Sequence, residues 1–107
     1  MAISPGSIFA ALAEPRRRQI VELLATQGQM TATDISDQFE ITSAAVSQHL
    51  KVLRQAEILR MRKQAQKRLY RLNPRAFEEL EGWSRQMKKT WSTRFDQLDA
   101  LLSDDEH

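Results

Sequence analysis

The sequence predicts a mainly α fold carrying one small β-hairpin. Apolar residues recur at three- and four-residue steps along most of the chain, the signature of amphipathic helices. Two short β-favouring runs, "ILRMRK" and "KRLYRL", flank Gln64, Ala65 and Gln66 and read as strands joined by a tight turn. The basic residues are also segregated. Between Thr42 and Leu72 stand Lys51, Arg54, Arg60, Arg62, Lys63, Lys67, Arg68 and Arg71 against the single acid Glu57, although the whole chain is only +2. A solvated surface mixes its signs, whereas a stripe of one sign fits a polyanionic partner.

With 107 residues, 41% of them hydrophobic, residues 1–107 form a single domain, small enough that self-association is an obvious source of further buried surface. About five helices are expected. The first covers 7–13. The second begins at "EPRRRQIVELLATQG", where Pro15 suits the first helical position, Ile20, Leu23 and Leu24 make an apolar face, and Gly28 ends it. Thr31 or Thr33 can cap a short third helix, "DISDQF", with Ile35 and Phe39 one turn apart. A brief turn at Glu40 and Ile41 leads to Thr42 as the cap of a fourth, 43–56.

On a wheel at 100° per residue, Val46, Leu50 and Leu53 make one apolar stripe of that fourth helix. Ser43, Ser47, Lys51 and Arg54 share the other side with Ala44, Gln48 and Gln55. One face packs and the other is left to touch something. A short helix, a tight turn and this helix have helix-turn-helix proportions. On the first strand after it, Leu59 and Met61 alternate with Arg60 and Arg62, so a basic, two-stranded wing follows. The whole is a winged helix-turn-helix over 7–72.

The last helix, 73–102, opens at "NPRAFEEL", with Asn73 as cap and Pro74 in the first turn. Phe77, Leu80, Met87, Trp91, Phe95, Leu98 and Leu102 recur along it. If continuous it spans about 43 Å, too long for so small a body to cover, and Gly82 is the place where it would kink or break. Its aromatic residues need burial, which makes it a dimerisation helix. The end, 103–107, is expected to be a flexible acidic tail.

Several function classes are excluded or disfavoured. The chain has no cysteine, which removes disulfides, thiolate metal sites and thiol redox switching. No apolar run approaches the roughly 20 residues that span a bilayer, and "MAISPGSIFAALAEP" lacks the features of a signal peptide, so a soluble, cytoplasmic protein without a membrane partner is expected. An enzyme is not expected. There is no glycine-rich phosphate loop and no buried carboxylate pair, and Ser47 and His49 point to different sides of their helix.

The segments "FAALAEPRRRQIVELL", "TATDISDQFEITSAAVSQHLKVLRQAEIL" and "RKQAQKRLYRLNP" resemble the ArsR/SmtB group of winged-helix transcriptional regulators, with "AVSQHLKVLR" the most specific. The resemblance implies a homodimer built from the first and last helices, a palindromic double-stranded DNA operator, and repression of the regulator's own operon. It is closest to cysteine-free members. Family members usually carry glycine where this chain has Glu40, Glu57 and Ala65, positions that commonly take positive φ. Metal-sensing members place thiolates just before the third helix or Asp/His ligands on the last one. The matching positions here are Thr31, Ala32 and Thr33, then Asn73, Pro74 and Arg75, so no metal site and no cofactor are expected.

Candidate DNA contacts follow. Gln48 and Ser47 suit base edges, because a Gln amide can pair with adenine through two hydrogen bonds and a Ser hydroxyl with several bases. Thr42, Ser43, Lys51 and Arg54 suit phosphates near a helix N-terminus, although Arg54 could instead pair with Glu57. His49 either packs between the helices or meets a phosphate. Lys63, Lys67 and Arg68 of the wing suit backbone phosphate or a minor groove. Arg16, Arg17 and Arg18 could pair with Glu14 or Glu22 as readily as touch DNA. The expected dimer interface comprises Ile8, Phe9, Leu12, Trp83, Met87, Trp91, Phe95 and Leu98, with Trp83 and Trp91 as interface core rather than a ligand cage. An unidentified organic ligand or protein could act as effector near Trp83, Met87 and Trp91. A winged-helix interaction module without DNA binding is the alternative function, and it would leave the basic stripe unexplained.

Overall fold

The computed structural model describes residues 3–105, with side chains up to Leu102. Its first helix, α1 (Pro5–Leu12), starts earlier than expected because the Ser4 hydroxyl accepts from the Ser7 N–H and Pro5 takes the first helical position. Helix α2 (Pro15–Gln27) is capped by the Glu14 carboxylate, which accepts from the Arg17 N–H at 3.0 Å. It ends at Gly28, whose φ of 85° is open to glycine at little cost.

Residues Gln29–Thr31 form a strand, β1, that the sequence reading did not find. Three residues are too few for any periodicity to register. Thr31 then caps α3 (Ala32–Asp37) by accepting from the Asp34 N–H. This helix stops before Phe39, which still packs against the core from the turn that follows. Thr42 caps α4 (Ser43–Gln55) in the same way, accepting from the Ala45 N–H at 3.1 Å.

The end of α4 is a Schellman motif. The Ile58 N–H donates to the Leu53 carbonyl and the Glu57 N–H to the Arg54 carbonyl, with Glu57 left-handed at φ 63°. The chain thereby turns into β2 (Leu59–Gln64), which pairs antiparallel with β3 (Lys67–Leu72). Ala65 and Gln66 form the two-residue tip, with positive φ (57°) at Ala65 alone, the pattern of a II′ hairpin turn. Of the three positions where the resemblance implies glycine, Glu57 and Ala65 thus adopt positive φ and Glu40 does not. Strand β1 joins the other edge of β3, Met30 opposite Tyr70, so the expected two-stranded wing is part of a three-stranded sheet in the order β1-β3-β2.

Every helix sends apolar side chains to one core. Ile8, Ile20, Leu24, Ile35, Val46, Leu50, Leu53 and Ile58 are essentially inaccessible to solvent, and Ala76 closes the bottom of α5 onto them. Each such aliphatic side chain contributes roughly 1.5–3 kcal/mol by its burial. Ile8 is therefore core within one protomer, and it cannot line an interface as the sequence reading expected. Leu12 is half-buried and packs against the same core.

Helix α5 (Pro74–Asp105) is a single element of 32 residues, unbroken at Gly82. At 1.5 Å per residue it is about 48 Å long. It packs along α1 and then projects, stretching the molecule to 72 Å in its longest dimension. It also continues to Asp105, into the segment expected to be a tail; Glu106 and His107 lie outside the described residues.

Candidate nucleic-acid interface

Helix α4 turns its two faces to different surroundings. Val46, Leu50 and Leu53 are in the core, while Thr42, Ser43, Ser47, Gln48, Lys51 and Arg54 are all exposed. The Thr42 cap takes one first-turn N–H, leaving others there to an incoming anion. Arg54 makes no ion pair with Glu57; the salt bridge found among the described residues is Arg85–Glu81, on α5. Ser43 and Ser47 line a groove shared with Thr33 and Ser36 of α3. Those two α3 hydroxyls are additional polar groups beside α4 that the sequence reading did not place, since their position depends on how α3 and α4 cross.

His49 is half-buried, and its Nδ1 is out of solvent without a hydrogen-bond partner among the described residues. That placement favours packing between helices over a phosphate contact.

In the wing, Lys63 stands directly opposite Arg68, and Gln64 opposite Lys67. At the base, Arg60 faces Arg71 across the same ladder. Like charges directly opposite one another destabilise a hairpin by a few tenths to about 1 kcal/mol, which an anion between them would relieve. Lys63, Lys67 and Arg68 are all exposed. Lys67 and Arg68 also border a cleft with Thr31, Thr33 and Asp34, so the wing tip curls over the start of α3.

The arginine triplet has a different use. Arg17 donates to the carbonyls of Ala10 and Ala11, and Arg18 donates to those of Leu12 (2.6 Å) and Ala13 (3.2 Å). These carbonyls lie at the C-terminal end of α1, where acceptors outnumber helical N–H donors and a cation is also favoured by the helix dipole. Arg16 lies over the Phe39 ring at 5.9 Å. The triplet fastens α1 and the turn after α3 to α2, by contacts that residue spacing alone could not show.

A second exposed surface is apolar. Phe9 meets Trp83 edge to face, with ring centroids 4.8 Å apart, yet both remain over 40% exposed. Farther along α5 Trp91 is 63% exposed, and Phe95, Leu98, Leu101 and Leu102 are comparably open. Met87 is half-buried between these two groups. Continuous apolar exposure of this kind marks a protein interaction surface. Leu101 and Leu102 extend it beyond the interface residues inferred from sequence.

Comparison with known proteins gives a consistent result. The family model described as bacterial regulatory protein, arsR family, matches residues 14–60, which span α2 to the start of β2. The chain is 36% identical over 78 residues to the transcriptional repressor SdpR of Bacillus subtilis, covering 73% of this chain and 86% of that one. It is 27% identical over 99 residues to the arsenical resistance operon repressor of Escherichia coli, covering 92% and 81%. A crystal structure of an ArsR family transcriptional regulator superposes with a TM-score of 0.75 at 26% identity, over 86% of this chain and 97% of the other. An ArsR-like regulator from Rhodococcus sp. RHA1 shares the fold, with a TM-score of 0.81 at 18% identity over 91% of each chain.

Proposed function

Because the chain belongs to the ArsR family of DNA-binding transcriptional regulators, a non-enzymatic class, we propose that it acts as a homodimer that sets two copies of α4 into successive major grooves of a palindromic operator and represses transcription of its own operon. The observation that carries this reading is the divided helix α4. Its apolar side is spent in the core, and its other side presents Ser43, Ser47, Gln48, Lys51 and Arg54 to solvent. Gln48 and Ser47 read base edges, and Thr42, Ser43, Lys51 and Arg54 hold phosphates. Lys63, Lys67 and Arg68 hold the flanking backbone, where the unpaired wing charges gain most from an anion. Repression is supported by the SdpR and arsenical operon relatives, which are named as repressors.

The homodimer uses Phe9, Trp83, Met87, Trp91, Phe95 and Leu98, with Leu12 at its edge. Support comes from the apolar exposure along α5, which a monomer would leave in water. An effector, if one acts, is an organic ligand or a protein beside Trp83, Met87 and Trp91 rather than a metal ion. A tight transition-metal site takes about four ligands from Cys, His, Asp and Glu. The chain has no cysteine and only two histidines. The positions that match the family's metal ligands hold Thr31, Thr33, Asn73 and Arg75.

The test is selection of bound duplexes from a random pool, followed by binding of Gln48→Ala and Lys67→Ala to the selected operator and to unrelated DNA. Gln48→Ala loses about 1–3 kcal/mol of discrimination at one base pair per half-site, and Lys67→Ala weakens all sequences alike. An unchanged sequence preference in Gln48→Ala would remove the base-contact assignment.

A further inference from the structure

The junction between β3 and α5 contains a side chain to which neither the interface nor the core assigns a task. Asn73 is 2% exposed and is the buried polar residue among those described. Buried amides persist only where their hydrogen bonds are made, and here each end of the group has a different partner. Nδ2 donates to the Glu57 carbonyl at 2.8 Å, while Oδ1 accepts from the Arg75 N–H at 3.2 Å. The Asn73 backbone adds a donation to the Ile58 carbonyl and accepts from the Ala76 N–H. One short planar side chain thus joins the left-handed residue that ends α4 to the first turn of α5. Of the side chains this short, only an Asn amide carries both a strong donor and an acceptor in that geometry.

We infer that Asn73 is a positioning residue that sets the angle between the DNA-reading body and α5, and through it the half-site spacing that the dimer accepts. Helix α5 runs along α1 and sets Ala76, Phe77 and Leu80 against the shared core, and the Asn73 amide adds a directional hydrogen bond from its start to the turn that ends α4. The tie grips α4 at the end opposite Ser43 and Ser47. Thirteen residues of α4 make a lever of about 20 Å, and a rotation of about 10° at the grip carries the far turn about 3.4 Å, one base-pair step. Loosening the tie therefore changes which operators fit, while the contacts within each half-site remain.

This inference rests on the homodimer reading, and the experiment separates the two. The selected palindrome is rebuilt with its half-sites one base pair closer and one farther apart, and affinity is measured for wild type, Asn73→Asp and Asn73→Ala, with sedimentation of each. Asp keeps the acceptor that caps α5 but cannot donate to Glu57; Ala removes both. A third variant, Asn73→Ala combined with Glu57→Gly, relieves the left-handed residue and guards against loss of folding. Wild type is expected to favour its best spacing by about tenfold or more, and all three variants by less than about threefold, with dimerisation and half-site base preference retained. A dimeric wild type with a sharp spacing preference that the variants keep overturns the inference alone. A wild type that sediments as a monomer, or binds without regard to spacing, overturns the dimer reading and this inference with it.

Discussion

Glu57 and Ala65 hold the positive-φ backbone that glycine adopts most readily, at φ 63° and 57°. An L-residue there costs on the order of 1 kcal/mol, so Glu57→Gly and Ala65→Gly should each stabilise by about 0.5–1 kcal/mol, the gain being reduced by the larger entropy of glycine in the unfolded chain. Urea melts of the two variants check this; a loss of stability in either would show that its side chain contributes more than the turn costs. The third such position, Glu40, keeps its backbone in the ordinary region and needs no glycine. Among candidate contact residues, the exposed placement of Gln48, Ser47 and Lys51 was legible in the sequence, since a helical wheel separates them from Val46, Leu50 and Leu53 without any tertiary information. The sequence could not resolve Arg16, Arg17 and Arg18, because Arg17 and Arg18 find carbonyls at the end of another helix and Arg16 finds the Phe39 ring. At the same scale, operator binding should be unchanged by zinc, nickel, copper or chelator. A reproducible tenfold change with stoichiometric metal uptake would contradict the argument from donor types.

Elements with strong local signals were readable, and those made by pairing were not. Caps at Thr31 and Thr42, the stop at Gly28 and the proline starts of α2 and α5 all lie where side-chain chemistry places them. Strand β1 exists because Met30 finds Tyr70 across the sheet, a contact between residues 40 apart in sequence. Helix α5 is the opposite case: a local weakness, Gly82, suggested a break, yet the helix runs through it. One glycine costs only about 1 kcal/mol relative to alanine, too little to interrupt a helix this long. A Cβ at Gly82 would meet nothing within 4 Å. Gly82→Ala should therefore raise stability by about that amount in thermal or urea unfolding. A destabilised dimer would instead place Gly82 in close contact with the partner protomer.

For the whole molecule, one core carries two exposed surfaces of opposite character. The polar side of α4 and the wing are cationic, while α1 and α5 present aromatic and aliphatic side chains. Trp91→Glu would put a charge into the proposed interface, where an unpaired buried charge is costly enough to disfavour association. Sedimentation should show monomers, with operator affinity falling alongside because the two half-sites are read together. A Trp91→Glu protein that remains dimeric would move the interface elsewhere on the surface.

The proposed operator binding depends most on phosphate neutralisation by α4 and the wing, and the dependence of operator affinity on salt concentration measures it directly. Each phosphate contact contributes about −0.9 to the slope of log K against log salt. Wild type should give a steep negative slope, and Lys63→Ala, Lys67→Ala and Arg68→Ala should each flatten it by about 1 for every contact removed, counted twice in a dimer. An affinity indifferent to salt, or a slope that survives loss of all three wing cations, would contradict the account.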